Sequence, residues 1–207
     1  MSQLFLTSSV HAVAHHIGAQ LDLSTKKSLV FIDTPAEVEE GDKQWLADDR
    51  QALVDAGFEV SDYTITGKTK EQLQADLTDF DYIYVSGGDT NHMLKESHKS
   101  GFFELIKGLV LNQEKTYIGT SAGSIIAGEK CPDYLLSYED SVSMQHETGF
   151  GFTNVTIAPH WGSPHFKELY LGGRLEIAYR DTHAPLLLLT DTQYLHVQGD
   201  KMRVVQV

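Results

Sequence analysis

Short apolar runs alternate along this chain with longer segments in which apolar residues recur every three or four positions. The run 29–32 is contiguous, as in parallel strands buried on both faces. The segment 44–56 has helical spacing and stops at Gly57, which suits the left-handed end of a helix, and Thr69 with Gln72 predicts a capping box. This alternation predicts an α/β fold, with helices on both faces of a mostly parallel central sheet.

The predicted elements follow one another without a repeat, linker or low-complexity tract. At 207 residues the chain can build one substantial core, so we expect a single domain over 1–207. The polar, poorly periodic segment 131–151 is predicted to be a loop or lid. The predicted strands span 3–7, 27–33, 58–65, 81–86, 155–158 and 185–190, with a closing hairpin of 193–198 and 202–207. The predicted helices span 9–21, 44–56, 69–79, 102–111 and about 165–171, and another begins near His92.

Composition narrows the range of partners. The 29 acidic and 16 basic residues give a formal net charge of −13, which disfavours a nucleic-acid ligand. We expect neither a membrane span nor a signal sequence, because the apolar runs are too short for either. A single cysteine, Cys131, fits a reducing compartment and indicates a cytoplasmic protein with a structural thiol. The sequence has neither a zinc-type pattern nor a nucleotide-binding glycine motif, so we expect no metal and no cofactor.

The segment 115–127 carries the clearest chemical signal. It places Ser121 between Gly119 and Gly123, where a β-rich run gives way to a helical one. This pattern is typical of a nucleophile elbow, in which a strained serine sits at the apex and its neighbours two residues away must lack side chains. The amide of Ala122 would then face a developing oxyanion. The alternative is an ordinary tight βα turn in which Ser121 caps the helix.

A serine nucleophile needs a base, and the ten histidines are the candidates. His160 follows a predicted strand, where open α/β sheets gather ligand groups, and we favour it over His183 and His196. The three histidines of the first predicted helix and one near the Lys95–Lys99 segment are expected to be exposed: His11, His15, His16 and His98.

Three segments together resemble the peptidase E family of serine peptidases, which includes aspartyl dipeptidase and cyanophycinase. They are Gly-Gly-Asp-Thr-Asn at 87–91, Gly-Thr-Ser-Ala-Gly-Ser at 119–124 and Pro-His at 159–160. The resemblance extends over nearly the whole chain, since length and element order also agree. It implies a three-layer α/β/α sandwich related to class I glutamine amidotransferases, with a flavodoxin-like arrangement and a C-terminal hairpin.

The resemblance also implies roles for individual residues. Ser121 would be the nucleophile and His160 the base, while the amides of Gly88 and Ala122 would form the oxyanion hole. The acid that orients the histidine is left between two aspartates: Asp191, on the turn after a late predicted strand, is favoured over Asp133, which lies in the loop after the elbow.

Substrate selection is expected to involve two more residues. Arg174 matches the place of an arginine that binds an N-terminal aspartate in family dipeptidases, and Asp89 of the Gly-Gly-Asp loop is a second substrate-binding candidate. Arg174 could equally be a solvated helix residue. The sequence therefore indicates a serine peptidase acting on short peptides, with dipeptides bearing an N-terminal aspartate as one substrate class. A catalytically silent binding module for a small ligand is the alternative, and a homodimer is one candidate assembly.

Overall fold

The described part of the computed structural model comprises residues 3–113, 115–132, 148–180 and 184–207. Its strands, in chain order, are β1 Gln3–Thr7, β2 Ser28–Ile32, β3 Glu59–Tyr63, β4 Tyr82–Val85, β5 Thr116–Thr120, β6 Thr156–Ala158, β7 Leu186–Leu188, β8 Gln193–Gln198 and β9 Lys201–Gln206. Its α-helices are α1 Val10–Gly18, α2 Gln44–Asp55, α3 Lys70–Leu77, α4 Thr90–Ser100, α5 Phe102–Lys107, α6 Ala122–Ile125, α7 Lys167–Leu169 and α8 Leu175–Arg180.

The central sheet has seven strands in the order β3-β2-β4-β5-β1-β8-β9. The first five of these are parallel, and β8 and β9 add to the edge of β1 as an antiparallel hairpin. Because parallel strands point the same way, the carboxyl ends of β1, β4 and β5 meet at one edge of the sheet. The predicted α/β fold class and the closing hairpin are confirmed.

Alternating side chains of the strands build a core on each face of the sheet. In β2, Leu29 and Phe31 are buried against α1 and α2, whereas Val30 and Ile32 are buried against the other face, which α3, α4 and α5 cover. This two-sided burial explains why the apolar run of β2 is contiguous. The predicted capping box is present at the start of α3, where Thr69 accepts from the amide of Gln72.

The late part of the chain differs from the sequence prediction. The strands β6 and β7 pair in parallel with each other in a separate two-stranded sheet. The helix predicted at about 165–171 is divided into a 3₁₀ turn at Pro164–Phe166, the short α7 and a π-helical turn at Tyr170–Arg174, with Gly173 at a φ of 158°. The helix predicted at 102–111 likewise changes to a π-helical turn after Lys107. Glycine tolerates the backbone angle found at Gly173, so helical spacing alone could not predict the break there.

Most of the predicted loop 131–151 lies outside the described residues. Within the described part of the chain, no helix combines the length and the apolar character needed to cross a bilayer.

Candidate active site

A cavity of about 580 Å³ opens at the carboxyl edge of the central sheet. The segments that follow β1, β4 and β5 supply Ser8, Gly87, Gly88 and Ser121 to its wall. The edge of the sheet therefore brings together the glycine loop and the serine that the sequence singles out.

Ser121 occupies a sharp turn between β5 and α6, with φ 49° and ψ −108°. The turn is feasible only because its neighbours lack side chains. A Cβ on Gly119 would lie 2.6 Å from the carbonyl oxygen of Gly123, and a Cβ on Gly123 would lie 2.2 Å from the carbonyl oxygen of Val85. Ser124 stabilises the turn, because its hydroxyl donates to the carbonyl of Gly119 at 2.8 Å. Both glycines are thus sterically required.

His160 is placed for proton exchange with Ser121. Its Nε2 lies 3.0 Å from Ser121 Oγ, and its ring stacks on Phe166 with centroids 4.3 Å apart. Its φ is 62°, and in the described residues only Ser121 and His160 combine a positive φ with a side chain. Such backbone strain costs about 1–3 kcal/mol per residue and persists where the surrounding structure imposes it, commonly at functional sites.

Asp191 completes a hydrogen-bonded chain. Its Oδ1 lies 2.7 Å from Nδ1 of His160 and accepts from the hydroxyl of Ser8, also at 2.7 Å. The backbone amide of His160 in turn donates to Ser8 Oγ at 2.6 Å. The hydrogen bond from His160 holds the pKa of Asp191 below its usual range, assisted by Ser8, although partial burial opposes the shift. The other candidate acid, Asp133, lies outside the described residues.

Gly88 and Ala122, the two predicted oxyanion-hole residues, both line the cavity with Ser121. Gly88 has a φ of 122°, and the carbonyl of Pro35 packs so closely against it that a Cβ would lie 2.3 Å from the carbonyl oxygen. Asp89 fixes the same contact by donating its amide to Pro35 at 2.8 Å. Ala122 begins α6, where an amide has no partner within the helix. Neither the Gly88 nor the Ala122 amide donates to another described residue.

The two candidate substrate-binding residues both line the cavity. Arg174 packs its guanidinium over the ring of Tyr170, 5.7 Å from the centroid, and the Tyr170 hydroxyl donates to the carbonyl of Pro159. Asp89 uses Oδ1 to cap α4, accepting from the amide of His92 at 2.6 Å. Arg174 therefore belongs to the wall of the cavity, and one oxygen of Asp89 is already engaged.

Sequence reasoning missed several residues of the site. Ser8 was not among the predicted site residues. Its position after β1 was nevertheless a usable signal, because β1 ends at the same edge of the sheet as the elbow. Trp45 also lines the cavity, and a Cβ on Gly87 would lie 3.5 Å from its ring. His11 is 48% exposed, in keeping with its predicted exposure, but its side chain also contributes to the cavity wall.

The competing histidines stand apart from this arrangement. His196 lies in β8, where it is buried, stacks on Phe5 and contacts Gln3, while His183 falls outside the described residues. No group of three or more metal-ligating side chains occurs in the described part of the chain.

Comparison with known proteins gives consistent matches along the chain. Residues 4–205 match the sequence model of Peptidase family S51. An uncharacterized peptidase of Pasteurella multocida is 29% identical over 173 residues, covering 81% of each protein. A protein of Drosophila melanogaster named "probable alpha-aspartyl dipeptidase" is 28% identical over 200 residues, covering 92% of this chain and 79% of the relative.

A solved structure, named as a "putative peptidase E protein" from Listeria monocytogenes, has the same fold. It superposes with a TM-score of 0.86 at 24% identity, covering 100% of this chain and 99% of that one. Together with relatives named peptidase E, these matches confirm the resemblance seen in the sequence and support peptidase activity. The chain belongs to peptidase family S51.

Proposed function

We propose that this protein is a serine peptidase that hydrolyses short peptides through an acyl-enzyme on Ser121. The observation that carries the proposal is the continuous chain of contacts from Ser121 Oγ to His160 at 3.0 Å and on to Asp191 at 2.7 Å. Strained backbone at both Ser121 and His160 supports it, because the fold holds these two residues in costly conformations at one cavity.

The first half of the proposed reaction forms the acyl-enzyme. Nε2 of His160 takes the hydroxyl proton of Ser121 as Oγ attacks the scissile carbonyl. The carbonyl oxygen gains negative charge and accepts hydrogen bonds from the amides of Gly88 and Ala122. His160 then gives its proton to the leaving nitrogen, the C–N bond breaks, and the acyl group remains on Ser121 as an ester.

The second half reverses these roles with water as the nucleophile. His160 removes a proton from water, and the resulting oxygen attacks the ester through the same oxyanion hole. Collapse of the intermediate returns the proton to Ser121 Oγ and releases the carboxylic acid. The same two side chains therefore serve both steps.

Asp191 acts by holding the imidazole. Its carboxylate keeps the proton on Nδ1, so that Nε2 is free to accept from Ser121, and it stabilises the imidazolium that forms. Ser8 contributes by donating to Asp191 and accepting from the backbone of His160, which ties the acid and the base to the end of β1. All these residues come from one chain, so the mechanism does not depend on a homodimer.

We propose dipeptides with an N-terminal aspartate as one substrate class. Arg174 on the cavity wall can bind the aspartate side chain through two parallel hydrogen bonds, a geometry that guanidinium groups favour. Asp89 supplies a counter-charge for the substrate's ammonium group. The relative named "probable alpha-aspartyl dipeptidase" supports this specificity.

Composition supports a cytoplasmic location and argues against a nucleic-acid ligand. A net charge of −13 argues against nucleic acid, and one buried cysteine, Cys131, fits a reducing cytoplasm. Long-range attraction of acidic peptides is unfavourable at this net charge, so their selection requires a cation inside the cavity.

Hydrolysis of a dipeptide panel tests the proposal. Wild-type protein should release amino acids from some panel members, and Ser121→Ala should abolish the activity. Ser61→Ala is the matched control, because Ser61 is exposed on β3 at the far edge of the sheet and should leave turnover unchanged. Binding of dipeptides without hydrolysis in wild type would favour the silent binding module.

A further inference from the structure

The wall of the cavity formed by α1 and α2 contains a histidine that the proposed mechanism leaves unused. His11 lines the cavity beside Trp45, and its side chain is half-exposed. The residue lies in the first turn of α1, directly after the Ser8–Ser9 segment that leads from β1 to the site.

A buried carboxylate fixes His11 in place. Asp49 is 2% exposed and accepts from the backbone amide of His11 at 3.2 Å, while its Oδ1 lies 3.2 Å from Nδ1 of the imidazole. Its other oxygen accepts from the hydroxyl of Tyr84 at 2.9 Å. Ser9 Oγ also lies 2.9 Å from Nδ1 of His11. Because Nδ1 is engaged, the Nε2 edge is the part of the ring left to meet a ligand.

The surroundings favour a charged imidazole. The hydrogen bond to Asp49 raises the pKa of His11, with smaller contributions from Asp48 and Asp191, and partial burial opposes the shift. Asp49 contacts His11 from α2, while Asp48 on α2 and Asp191 in the turn before β8 act on it through their charges alone. An imidazolium with Nε2–H directed to a cavity is a donor suited to a substrate carboxylate.

The position of His11 identifies which carboxylate it can reach. His160 must give its proton to the leaving nitrogen, so the leaving residue lies beside His160 and Asp191. Ser8 touches both of these residues, and His11, three positions after Ser8, lies near enough to Asp191 for that carboxylate to raise its pKa. In a dipeptide the leaving residue carries the free C-terminal carboxylate.

We propose that His11 binds the C-terminal carboxylate of the substrate and thereby selects dipeptides over longer or C-terminally blocked peptides. The inference rests on the proposed function, because that function determines on which side of the scissile bond the leaving residue lies. It adds a cationic contact for the C-terminus to the Arg174 contact that serves the N-terminal side chain.

Binding to the Ser121→Ala protein tests this proposal without depending on turnover. The dissociation constants of Asp-Ala and Ala-Ala are measured by calorimetry and compared with those of their C-terminal amides. We expect the free acid to bind at least about tenfold more tightly than the amide, as for one charge-assisted hydrogen bond. Adding His11→Gln should remove that preference and leave the affinity of the amides unchanged. His15→Gln, one turn later on exposed α1 surface, is the matched control and should keep the preference.

The dependence on pH provides a second readout that a purely structural histidine would not produce. The preference for the free acid should fade as pH rises through the pKa of His11. Asp49→Asn should move that change to lower pH, because it removes the main group that favours the imidazolium. The pH dependence of the parent protein and of Asp49→Asn keeps the proposal testable if the His11 variant fails to fold.

Three results would overturn the inference: no binding of any of the four peptides, equal binding of acid and amide by the parent protein, or equal weakening of both by His11→Gln. Failure of the proposed function has a different signature, namely wild-type protein that prefers the free acid in binding but does not hydrolyse it.

Discussion

Replacing Gly88 by alanine tests whether its amide forms the oxyanion hole. The new Cβ would lie 2.3 Å from the carbonyl oxygen of Pro35, whereas real Cβ contacts essentially never fall below 3.0 Å. The Gly88 loop or the Thr34–Ala36 turn must therefore shift by most of an ångström. The φ of 122° at Gly88 adds strain of about 1–3 kcal/mol for any other residue.

A shift of this size moves the Gly88 amide away from the developing oxyanion. We expect kcat/KM for a cleaved dipeptide to fall by about 10²- to 10³-fold, which corresponds to about 2.7–4 kcal/mol for one lost donor. The thermal midpoint should fall by several degrees as the strain destabilises the fold. Steady-state kinetics and thermal unfolding, run on the same preparations, measure the two effects.

Gly67→Ala is the matched control for backbone strain. Gly67 also has a positive φ, 74°, but a Cβ there meets nothing within 4 Å. It should lower stability by about 1 kcal/mol and leave kcat/KM unchanged. Wild-type turnover in Gly88→Ala, or an equal loss of turnover in the Gly67 control, would refute the assignment of the oxyanion hole.

The remaining predictions concern the acid and the arginine. Asp191→Asn should lower kcat by about 10³-fold or more without unfolding the protein, because the wrong tautomer of His160 is favoured; near-normal kinetics would exclude Asp191 as the third residue. Since the pKa of Asp191 is lowered by folding, its stabilising contribution is present above about pH 4 and is lost as pH falls further. Denaturant unfolding between pH 2 and 6 should therefore show a smaller acid-dependent loss in Asp191→Asn than in wild type. Arg174→Ala should raise the barrier for Asp-X dipeptides by about 2–4 kcal/mol and affect Ala-X dipeptides far less, whereas Arg180→Ala, on an exposed side chain paired with Glu176, should change neither. Equal losses on both substrates would assign Arg174 a structural role.

Local sequence signals predicted the geometry around Ser121 well. Gly119 and Gly123 were expected to be side-chain-free for steric reasons, and the structure places the missing Cβ atoms within 2.6 Å of backbone carbonyl oxygens. The strand and turn signals before His160 were similarly informative. In both cases a few adjacent residues determine the backbone, so the pattern can be found without tertiary information.

Residues that depend on long-range packing were less accessible to sequence reasoning. The sequence favoured Asp191 over Asp133 only by its place after a late predicted strand, because the contact of Asp191 with His160 spans 31 positions and depends on how β6 and β7 pair. Ser8 lies 183 positions from Asp191, so its place after β1 indicates the right edge of the sheet but not its contact with the acid.

His11 shows the same limit. Its predicted exposure agrees with a 48% exposed side chain, but only the packing of α1 against α2 reveals Asp49 beneath it and the cavity in front of it.

Titration of the protein with a fluorophosphonate tests the central claim, that Ser121 forms the covalent intermediate, most directly. Intact mass gives the fraction of chains labelled, peptide mapping gives the position, and residual dipeptide hydrolysis is measured on the same samples. We predict one label per chain on Ser121 and activity that falls in proportion to labelling, reaching zero at full modification. Full hydrolysis by completely labelled protein, or complete inactivation with the label on another residue, would contradict the account.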